Sequence, residues 1–266
     1  MNRNRLERLT ISFLLLYVAG SAYVVAGLAA GLKVHFTWVA VSTVAFFVFA
    51  VLHALLSVGW RHTVVFVAIS FGVSLLFELL GTSRGWIYGA YHYTGRLGPK
   101  ILDLVPILVP LAWFMMMYAS YTLANLLGRR GHGRESGGRL AWLIFLSAFA
   151  MTSWDLMNDP INVNGGHWVW HEQGAYFGIP LSNYVGWMLT TLVIFGLYRL
   201  YEAWRAPQFT PAVRPYFALL PVLSYGITML SNIAVLIVTG QPTVAMIGFF
   251  SMGALLAAAV SRLTDT

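Results

Sequence analysis

Long apolar runs, separated by short polar connections, make up almost the whole chain. A transmembrane helix needs about 20 apolar residues to cross roughly 30 Å of hydrocarbon. Eight runs come near this length, at about residues 10–32, 36–58, 63–82, 101–127, 140–159, 181–201, 216–239 and 243–262. The pattern predicts an all-α, polytopic membrane bundle of about eight helices, forming a single transmembrane domain over residues 1–266.

The composition agrees with this prediction and excludes a mostly soluble enzyme. Of the 266 residues, 59% are hydrophobic and 9% are charged, against roughly 25% charged residues in a typical soluble domain. The mean hydropathy is +0.73. The chain has no cysteine, which excludes disulfides and thiolate metal sites. Despite a net charge of +7, no nucleic-acid partner is expected, because the basic residues sit at helix ends and not on one face.

The distribution of basic residues predicts the orientation in the cell membrane. Eight spans place both termini on one side, and that side holds twelve of the sixteen basic residues: Arg3, Arg5, Arg8, Arg61, Arg129, Arg130, Arg134, Arg139, Arg199, Arg205, Arg214 and Arg262. The other side holds Lys33, Arg84, Arg96 and Lys100. We therefore expect cytoplasmic termini and outward-facing loops at 83–100 and 160–180.

The nine acidic residues divide between the two sides. Four lie near arginines on the predicted cytoplasmic side and are expected to be solvated: Glu7, Glu135, Glu202 and Asp265. The other five map to the outward side: Glu78, Asp103, Asp155, Asp159 and Glu172. An ionisable group at membrane depth is costly unless it is paired or hydrated, so it is a functional candidate. We take Glu78, Asp103, Asp155 and Asp159 as candidate catalytic residues; the alternative is an ion pair with Arg84 or Arg96.

The predicted fourth span contains two prolines, Pro106 and Pro110. Each removes a backbone donor and frees a carbonyl one turn earlier, which in lipid must be satisfied by protein or water. On a helix, Asp103, both prolines, Trp113 and Met117 share one face. That face is expected to line a cavity, unless the prolines only kink the helix for packing.

Both outward loops are rich in aromatic residues. One reads GWIYGAYHY over residues 85–93, and the other contains HWVWH at 167–171 and YFGIP at 176–180. An interfacial aromatic belt explains the Trp and Tyr residues but not the glycines among them, which allow tight turns. We expect folded loops that cap a cavity at the outer membrane surface.

Several chemistries lack the residues they require. A retinal Schiff base needs a lysine in mid-span, and the two lysines, Lys33 and Lys100, lie at span ends. Di-iron hydroxylases need several histidine boxes, whereas only His167 and His171 have a suitable i, i+4 spacing here. Neither a metal site nor a phosphate-binding glycine motif is predicted.

Two sequence blocks resemble the membrane carotenoid biosynthesis family. The first block, at about 78–118, contains Glu78-x2-Gly81-x3-Gly85-x3-Gly89-x-Tyr91-x-Tyr93, then Leu97-Gly98 and Val105-Pro106-x3-Pro110-Leu111-Ala112-Trp113. The second block, at about 150–190, contains Trp154-Asp155-x3-Asp159-Pro160, Trp168-x-Trp170, Gly174-x-Tyr176-Phe177-Gly178-Ile179-Pro180, Asn183 and Gly186-Trp187. The family includes the CruF-type carotenoid 1′,2′-hydratases and the related bisanhydrobacterioruberin hydratase of haloarchaea.

The resemblance implies a hydro-lyase that adds water across the terminal C1′=C2′ double bond of an acyclic carotenoid end group, without a cofactor. The haloarchaeal branch acts on a C50 substrate, but halophile proteins usually carry acidic surfaces and this chain is basic. We therefore expect γ-carotene or lycopene in the bilayer as the substrate and water as the co-substrate. Other membrane enzymes of the carotenoid pathway are expected partners.

This chemistry needs a proton donor, a stabilised cation and a base for the attacking water. Asp155 is the preferred donor, with Glu78 second, and Asp159 or Asp103 would orient the water with help from Asn183. The candidate substrate-binding aromatics, which could stabilise a cation, are Tyr91, Tyr93, Trp113, Trp154, Trp168, Trp170 and Trp187. Arg84 and Arg96 are expected to be charge partners that keep a carboxylate ionised.

Two alternatives stay open on these residues. A membrane lycopene cyclase or isomerase would use the same protonation but exclude water. A proton-coupled transporter or a pigment-binding protein without catalysis would also place charged residues in spans. The location of all candidate acids on one side favours a site that opens to one face over a pathway through the membrane.

Overall fold

The computed structural model describes residues 2–128, 137–205 and 214–264. The predicted loop charges Arg129, Arg130, Arg134, Glu135 and Asp265 lie outside these ranges. The helices are α1 (Arg3–Ala29), α2 (Phe36–Ser57), α3 (Trp60–Arg84), α4 (Leu108–Leu127), α5 (Gly137–Asn164), α6 (Leu181–Trp204), the short α7 (Pro215–Ala218), α8 (Leu220–Val238) and α9 (Pro242–Thr264). Between them lie the strands β1 (Tyr91–Tyr93), β2 (Lys100–Ile101), β3 (Val105–Pro106) and β4 (Trp168–Trp170), and a 3₁₀ turn at Gly95–Leu97.

The all-α membrane bundle predicted from the sequence is confirmed. In the described part of the chain, seven of the long helices are long and apolar enough to cross a membrane. The eighth, α4, has 20 residues and therefore also spans about 30 Å, but it does not reach the same hydropathy.

The lower hydropathy of α4 follows from its place at the centre of the bundle. This helix packs against α2, α3, α5, α8 and α9, so protein surrounds it. Polar groups are tolerated on a helix that does not face lipid. The hydroxyl of Tyr118, for example, lies 2.7 Å from Nδ1 of His53 on α2, and the hydroxyl of Tyr121 donates to Glu202 on α6.

The predicted fourth span at 101–127 is wrong at its start. Residues 100–106 form the β2–β3 hairpin, in which Leu102 and Asp103 have positive φ angles of 51° and 57°. Asp103 is therefore exposed at a turn and does not open a helix. Pro110 lies in the first turn of α4, where no backbone donor is needed. The single helical face predicted to run from Asp103 through both prolines and to line a cavity does not exist, because Asp103 and Pro106 lie outside α4.

The two ends of the bundle differ. Successive long helices joined by short connections alternate in direction, so the loops at 85–107 and 165–180 come together at one end, which we call the loop end. These loops pair through β1 and β4, which are antiparallel. The opposite end, which we call the terminal end, holds the start of α1 and the close of α9.

The terminal end corrects one expectation from the sequence. Glu202 is buried and not a solvated loop charge. Its Oε1 accepts a 2.5 Å hydrogen bond from the hydroxyl of Tyr121, and its Oε2 lies 3.4 Å from NH1 of Arg199, which is also buried. The hydrogen bond from Tyr121 links α4 to α6 far from the loop end, whereas the Arg199–Glu202 pair lies within α6. Glu7 is buried as well and pairs with Arg3 at 3.3 Å.

Candidate active site

A small antiparallel sheet at the loop end turns four aromatic rings toward the interior. Tyr91 pairs with Trp170 and Tyr93 pairs with Trp168. Because side chains alternate along a strand, these four rings share one face, with centroid distances of 4.8 Å and 5.6 Å within the two pairs. His92 points to the other, exposed face, where its Nδ1 lies 3.0 Å from Nε2 of His171. The prediction of folded aromatic loops over a cavity therefore holds.

The inner face of this sheet supplies hydrogen-bond donors to Glu78, which lies in the last two turns of α3. Oε2 of Glu78 accepts from the hydroxyl of Tyr91 and, at 2.8 Å, from the hydroxyl of Tyr93. Oε1 accepts from the indole nitrogen of Trp113 on α4 at 3.1 Å. Burial, followed by the nearby Glu78 charge, raises the pKa of Tyr91 and of Tyr93 well above the ordinary value. Both tyrosines therefore remain donors, and all three hydrogen bonds favour a charged Glu78 carboxylate.

A second acidic group lies on the last turns of α5, where Asp155 and Asp159 are four residues apart and share a face. Asn183 on α6 bridges them, because its Nδ2 donates to Oδ2 of Asp155 at 3.1 Å and also to Oδ2 of Asp159. Oδ1 of Asp159 accepts from the indole nitrogen of Trp168 at 2.8 Å. Oδ1 of Asp155 is buried and has no hydrogen-bond partner among the residues that the structure describes.

Pro160 and Tyr176 hold this end of α5 in place. Pro160 lies within the helix and has no N–H to bond the carbonyl of Leu156. The hydroxyl of Tyr176, from the second loop, donates to that carbonyl at 2.9 Å. Burial, followed by the charges of the two aspartates, raises the pKa of Tyr176 to about 12, so the hydroxyl keeps its proton. The carbonyl of Leu156, which Pro160 leaves without a helical partner, thus anchors the second loop to α5 through a hydrogen bond.

Stacked tryptophans lie between the two acidic groups. Trp113 stacks on Trp187 of α6 at a centroid distance of 4.1 Å, and Trp154 meets the same ring edge-on at 5.9 Å. The indole nitrogen of Trp154 is buried and has no partner within the described residues. It is available to donate to an oxygen of a bound molecule.

Most of these groups line one cavity of about 1130 Å³. Drug-sized ligands usually occupy roughly 300–1,000 Å³, so this cavity can take a larger molecule. It extends from the loop end between α1, α2 and α8. Glu78 and Asp159 both line it, whereas Asp155 does not.

The structure brings together most of the residues predicted for the site. The cavity lining includes Glu78, Asp159, Asn183, Tyr91, Tyr93, Trp113, Trp154, Trp168, Trp170 and Trp187. Asp155, the preferred donor, is 0% exposed and stands behind Asn183. Asp103 is exposed on the β2–β3 hairpin and does not line the cavity. The prediction that it opens a span beside the other acids is therefore wrong.

The expected arginine partners are also wrong for the described residues. Arg84 is exposed, and no ion pair joins it to a carboxylate there. NH1 of Arg96 donates to the backbone carbonyl of Gly165 at 2.6 Å and not to an acid. The carboxylates of the cavity are held instead by neutral hydroxyl, indole and amide donors.

Sequence reasoning missed several residues that also line the cavity, and four of them lie close to the acidic groups. Tyr88 is buried and its hydroxyl lies 2.8 Å from that of Thr190. Asn158, Asn162 and His167 form a hydrogen-bonded group beside Asp159. The four-residue spacing of Asn158 and Asn162, on the side of α5 that carries both aspartates, was a signal that could have identified these two residues.

Within the described ranges, no group of three or more His, Cys, Asp or Glu side chains is arranged to hold a metal ion. Fold and site together define an integral membrane helical protein with an acid-lined cavity suited to a large apolar molecule. The family of carotenoid biosynthesis proteins matches residues 36–255, and the chain belongs to that family.

A curated relative agrees with this assignment over part of the chain. The bisanhydrobacterioruberin hydratase of Haloarcula japonica is 34% identical over 113 residues, which are 42% of this chain and 36% of that protein. The match thus spans about a third of the relative's length. No solved structure matches the chain.

Proposed function

We propose that this protein is a carotenoid hydratase that adds water across the terminal C1′=C2′ double bond of an acyclic end group of γ-carotene or lycopene. The family and the partial match to a hydratase support the reaction class. The observation that carries the proposal is that two carboxyl groups from different helices, Glu78 and Asp159, line one cavity with stacked tryptophans between them.

The acid step is assigned to the Asp155–Asp159 pair. Two carboxyl groups that share one amide donor in a buried site hold one proton more favourably than two negative charges. Asp159 lines the cavity and transfers this proton to C2′, so the electron pair of the alkene forms the new C–H bond. Asp155, which does not line the cavity, is a positioning residue that shares the proton. This assignment moves the donor role from Asp155 to Asp159, and the water-orienting role from Asp159 or Asp103 to Glu78.

The resulting tertiary cation at C1′ is stabilised by the rings around it. Aromatic faces contribute about 0.5–2 kcal/mol each to a bound cation, and Trp113, Trp154 and Trp187 are placed to supply them. The Glu78 carboxylate adds a negative charge and accepts a proton from water as the oxygen attacks C1′. Hydration consumes only a proton and water and returns the proton, so the scheme involves no cofactor.

Topology and partners complete the proposal. The excess of basic residues on the side of the termini supports cytoplasmic termini and a loop end that faces outward. The carotenoid reaches the cavity from the bilayer, and membrane enzymes of the same pathway are the proposed neighbours that supply it.

The test is pigment analysis of bacteria that make lycopene and γ-carotene, with and without this gene. New pigments that are heavier by one water, carry a tertiary alcohol and keep the chromophore are expected. Isomers of unchanged mass with a shortened chromophore would show that the protein is a cyclase and not a hydratase. No change in either pigment would contradict the proposal for these substrates.

A further inference from the structure

The cavity lining is more polar at its loop end, the polar end, than on the side formed by α1, α2 and α8, the apolar side. The apolar side contributes Val24, Val25, Leu28, Val39 and Val235, together with the polar residues Ser21, Thr43, Thr228, Ser231 and Asn232. The lining at the polar end includes Arg96, Asn158, Asp159, Asn162, Asn164, Gly165 and His167. An apolar polyene gains nothing from the polar end, because hydrocarbon makes no hydrogen bonds with amides or imidazole.

At the polar end, His167, Asn162 and Asn158 form a hydrogen-bonded series that lines the cavity beside Asp159. Asn164 is exposed, and His167 is half-buried with its Nδ1 2.8 Å from Oδ1 of Asn162. Nδ2 of Asn162 donates to the backbone carbonyl of Asn158 at 2.7 Å and to its Oδ1 at 3.0 Å. Asn158 and Asn162 flank Asp159 on the same turns of α5.

This network assigns the hydrogen on His167. Because Nδ2 of Asn162 is used for two donated bonds, its Oδ1 accepts, so Nδ1 of His167 carries the hydrogen. Nε2 of His167 is then an acceptor. Burial, followed by the charge of Arg96, lowers the pKa of His167, so a neutral imidazole borders the cavity at neutral pH. A neutral ring with an acceptor nitrogen can hold a water molecule by its O–H.

We propose that the two co-substrates reach the site separately: water passes from the loop end along His167, Asn162 and Asn158, and the carotenoid enters through the apolar side. This inference rests on the proposed hydration. It assigns to these three residues the delivery and orientation of the attacking water, a role distinct from that of the carboxyl groups.

The chemistry provides a readout specific to water delivery. After Asp159 has protonated C2′, water attacks C1′ and gives a proton to Glu78, which yields the alcohol. If no water is in place, a methyl group on C1′ loses a proton to the Asp159 carboxylate, and the electron pair of that C–H bond forms a terminal methylene. The product is then an isomer of the substrate with unchanged mass. The ratio of alcohol to methylene isomer therefore measures water delivery, whatever the total amount of active protein.

The experiment compares Asn162→Leu and His167→Phe with the wild-type protein in detergent or nanodiscs, using the carotenoid that the wild type hydrates. In both variants, the rate of alcohol formation should fall about tenfold, because the water is no longer held for attack. The methylene isomer or unreacted carotenoid should increase, and carotenoid binding should be unchanged. The matched control is His92→Phe, a histidine on the same loops that is exposed and outside the cavity lining.

The remaining outcomes would contradict either the proposed water route or the hydratase activity on which it rests. Alcohol formation at the wild-type rate and ratio in both variants would overturn the proposed route. Loss of carotenoid binding in both would also overturn it, because the residues would then support the substrate or the fold. A wild-type protein that makes no alcohol would refute the hydratase itself. Asn162→Ser, which keeps a hydrogen-bonding group, should recover part of the alcohol.

Discussion

Glu78 and the Asp155–Asp159 pair serve the same cavity, but their hydrogen-bond environments are opposite. Glu78 has three donors for two oxygens, from Tyr91, Tyr93 and Trp113. The aspartate pair has four oxygens, which accept hydrogen bonds from Asn183 and Trp168 within the described residues, and the side chain of Asn158 is a third polar neighbour, beside Asp155. Hydrogen bonds to a carboxylate favour its charged form, and a shortage of them in a buried site favours the acid.

In the proposed mechanism, this difference explains how one buried site holds an acid and a base of the same chemical type. No cation pairs with either group in the described part of the chain, so the number of neutral donors separates their roles. We therefore expect Glu78 to act as the carboxylate and the aspartate pair to carry the proton.

The largest expected effect comes from removing the proposed proton donor. Asp159→Asn should lower the rate of alcohol formation by about 10²–10⁴-fold, the usual contribution of general acid catalysis, while carotenoid binding persists. Asp103→Asn is the matched control and should behave like the wild type, because Asp103 is exposed on a hairpin outside the cavity. Normal turnover of Asp159→Asn would refute the donor assignment.

Glu78→Gln tests the other half of the comparison. Glutamine faces the same three donors with one acceptor oxygen and cannot take a proton from water, so the rate should fall by about 100-fold. The terminal-methylene isomer should increase relative to the alcohol. Glu172→Gln, at an exposed site on the same loops, should leave both unchanged. An unaltered product ratio with Glu78→Gln would show that Glu78 does not serve the water step.

Asp155→Asn distinguishes the two aspartates. Because Asp155 does not line the cavity, its loss should disturb the shared proton without removing the donor. We expect a fall of about 10- to 100-fold, which is about 1.4–2.7 kcal/mol in activation free energy, and an altered pH profile of kcat. A loss larger than that of Asp159→Asn would return the donor role to Asp155.

A smaller effect, on stability, is expected where the first loop docks on α6. A Cβ at Gly186 would lie 2.4 Å from the backbone oxygen of Ile87 and 2.7 Å from Cδ1 of Tyr88. Gly186→Ala should therefore destabilise the protein by about 1–3 kcal/mol through overpacking, measured as a lower Tm in detergent. Gly196→Ala, on the same helix with nothing within 4 Å of the added carbon, should not lower the Tm. Equal Tm values for the two variants would contradict this close contact.

The smallest expected effect is a titration shift at the loop end. Burial and then Arg96 lower the pKa of His167 from 6.5. Removing the positive charge in Arg96→Gln should move this pKa upward, toward but not to 6.5, because burial remains. Since the folded value is depressed, protonation of His167 opposes folding of the loop, and stability should fall as the pH drops below 6.5. Histidine NMR on labelled protein would measure the shift; an unchanged pKa in Arg96→Gln would remove the arginine as a cause.

Local patterns in the sequence were sufficient to predict the membrane helices and most of the residues that line the site. Apolar length predicted the spans because each helix satisfies its own backbone hydrogen bonds. The cost of burying acids singled out Glu78, Asp155 and Asp159. The start of the fourth span was missed, since the β2–β3 hairpin is as apolar as a helix, although Asp103 and Pro106 were available as turn signals.

The hydrogen-bond partners of these acids became visible only in the tertiary structure. The donors to Glu78 come from a strand 13 and 15 residues later and from α4, and Asn183 bridges the two aspartates from a separate helix. It also decided that Asp159 and not Asp155 reaches the cavity, and that Asp103, Arg84 and Arg96 do not pair with the buried acids. The amino-acid sequence alone identifies the groups that are costly to bury. The neighbours that offset this cost come from distant segments of the chain, and no local pattern encodes those contacts.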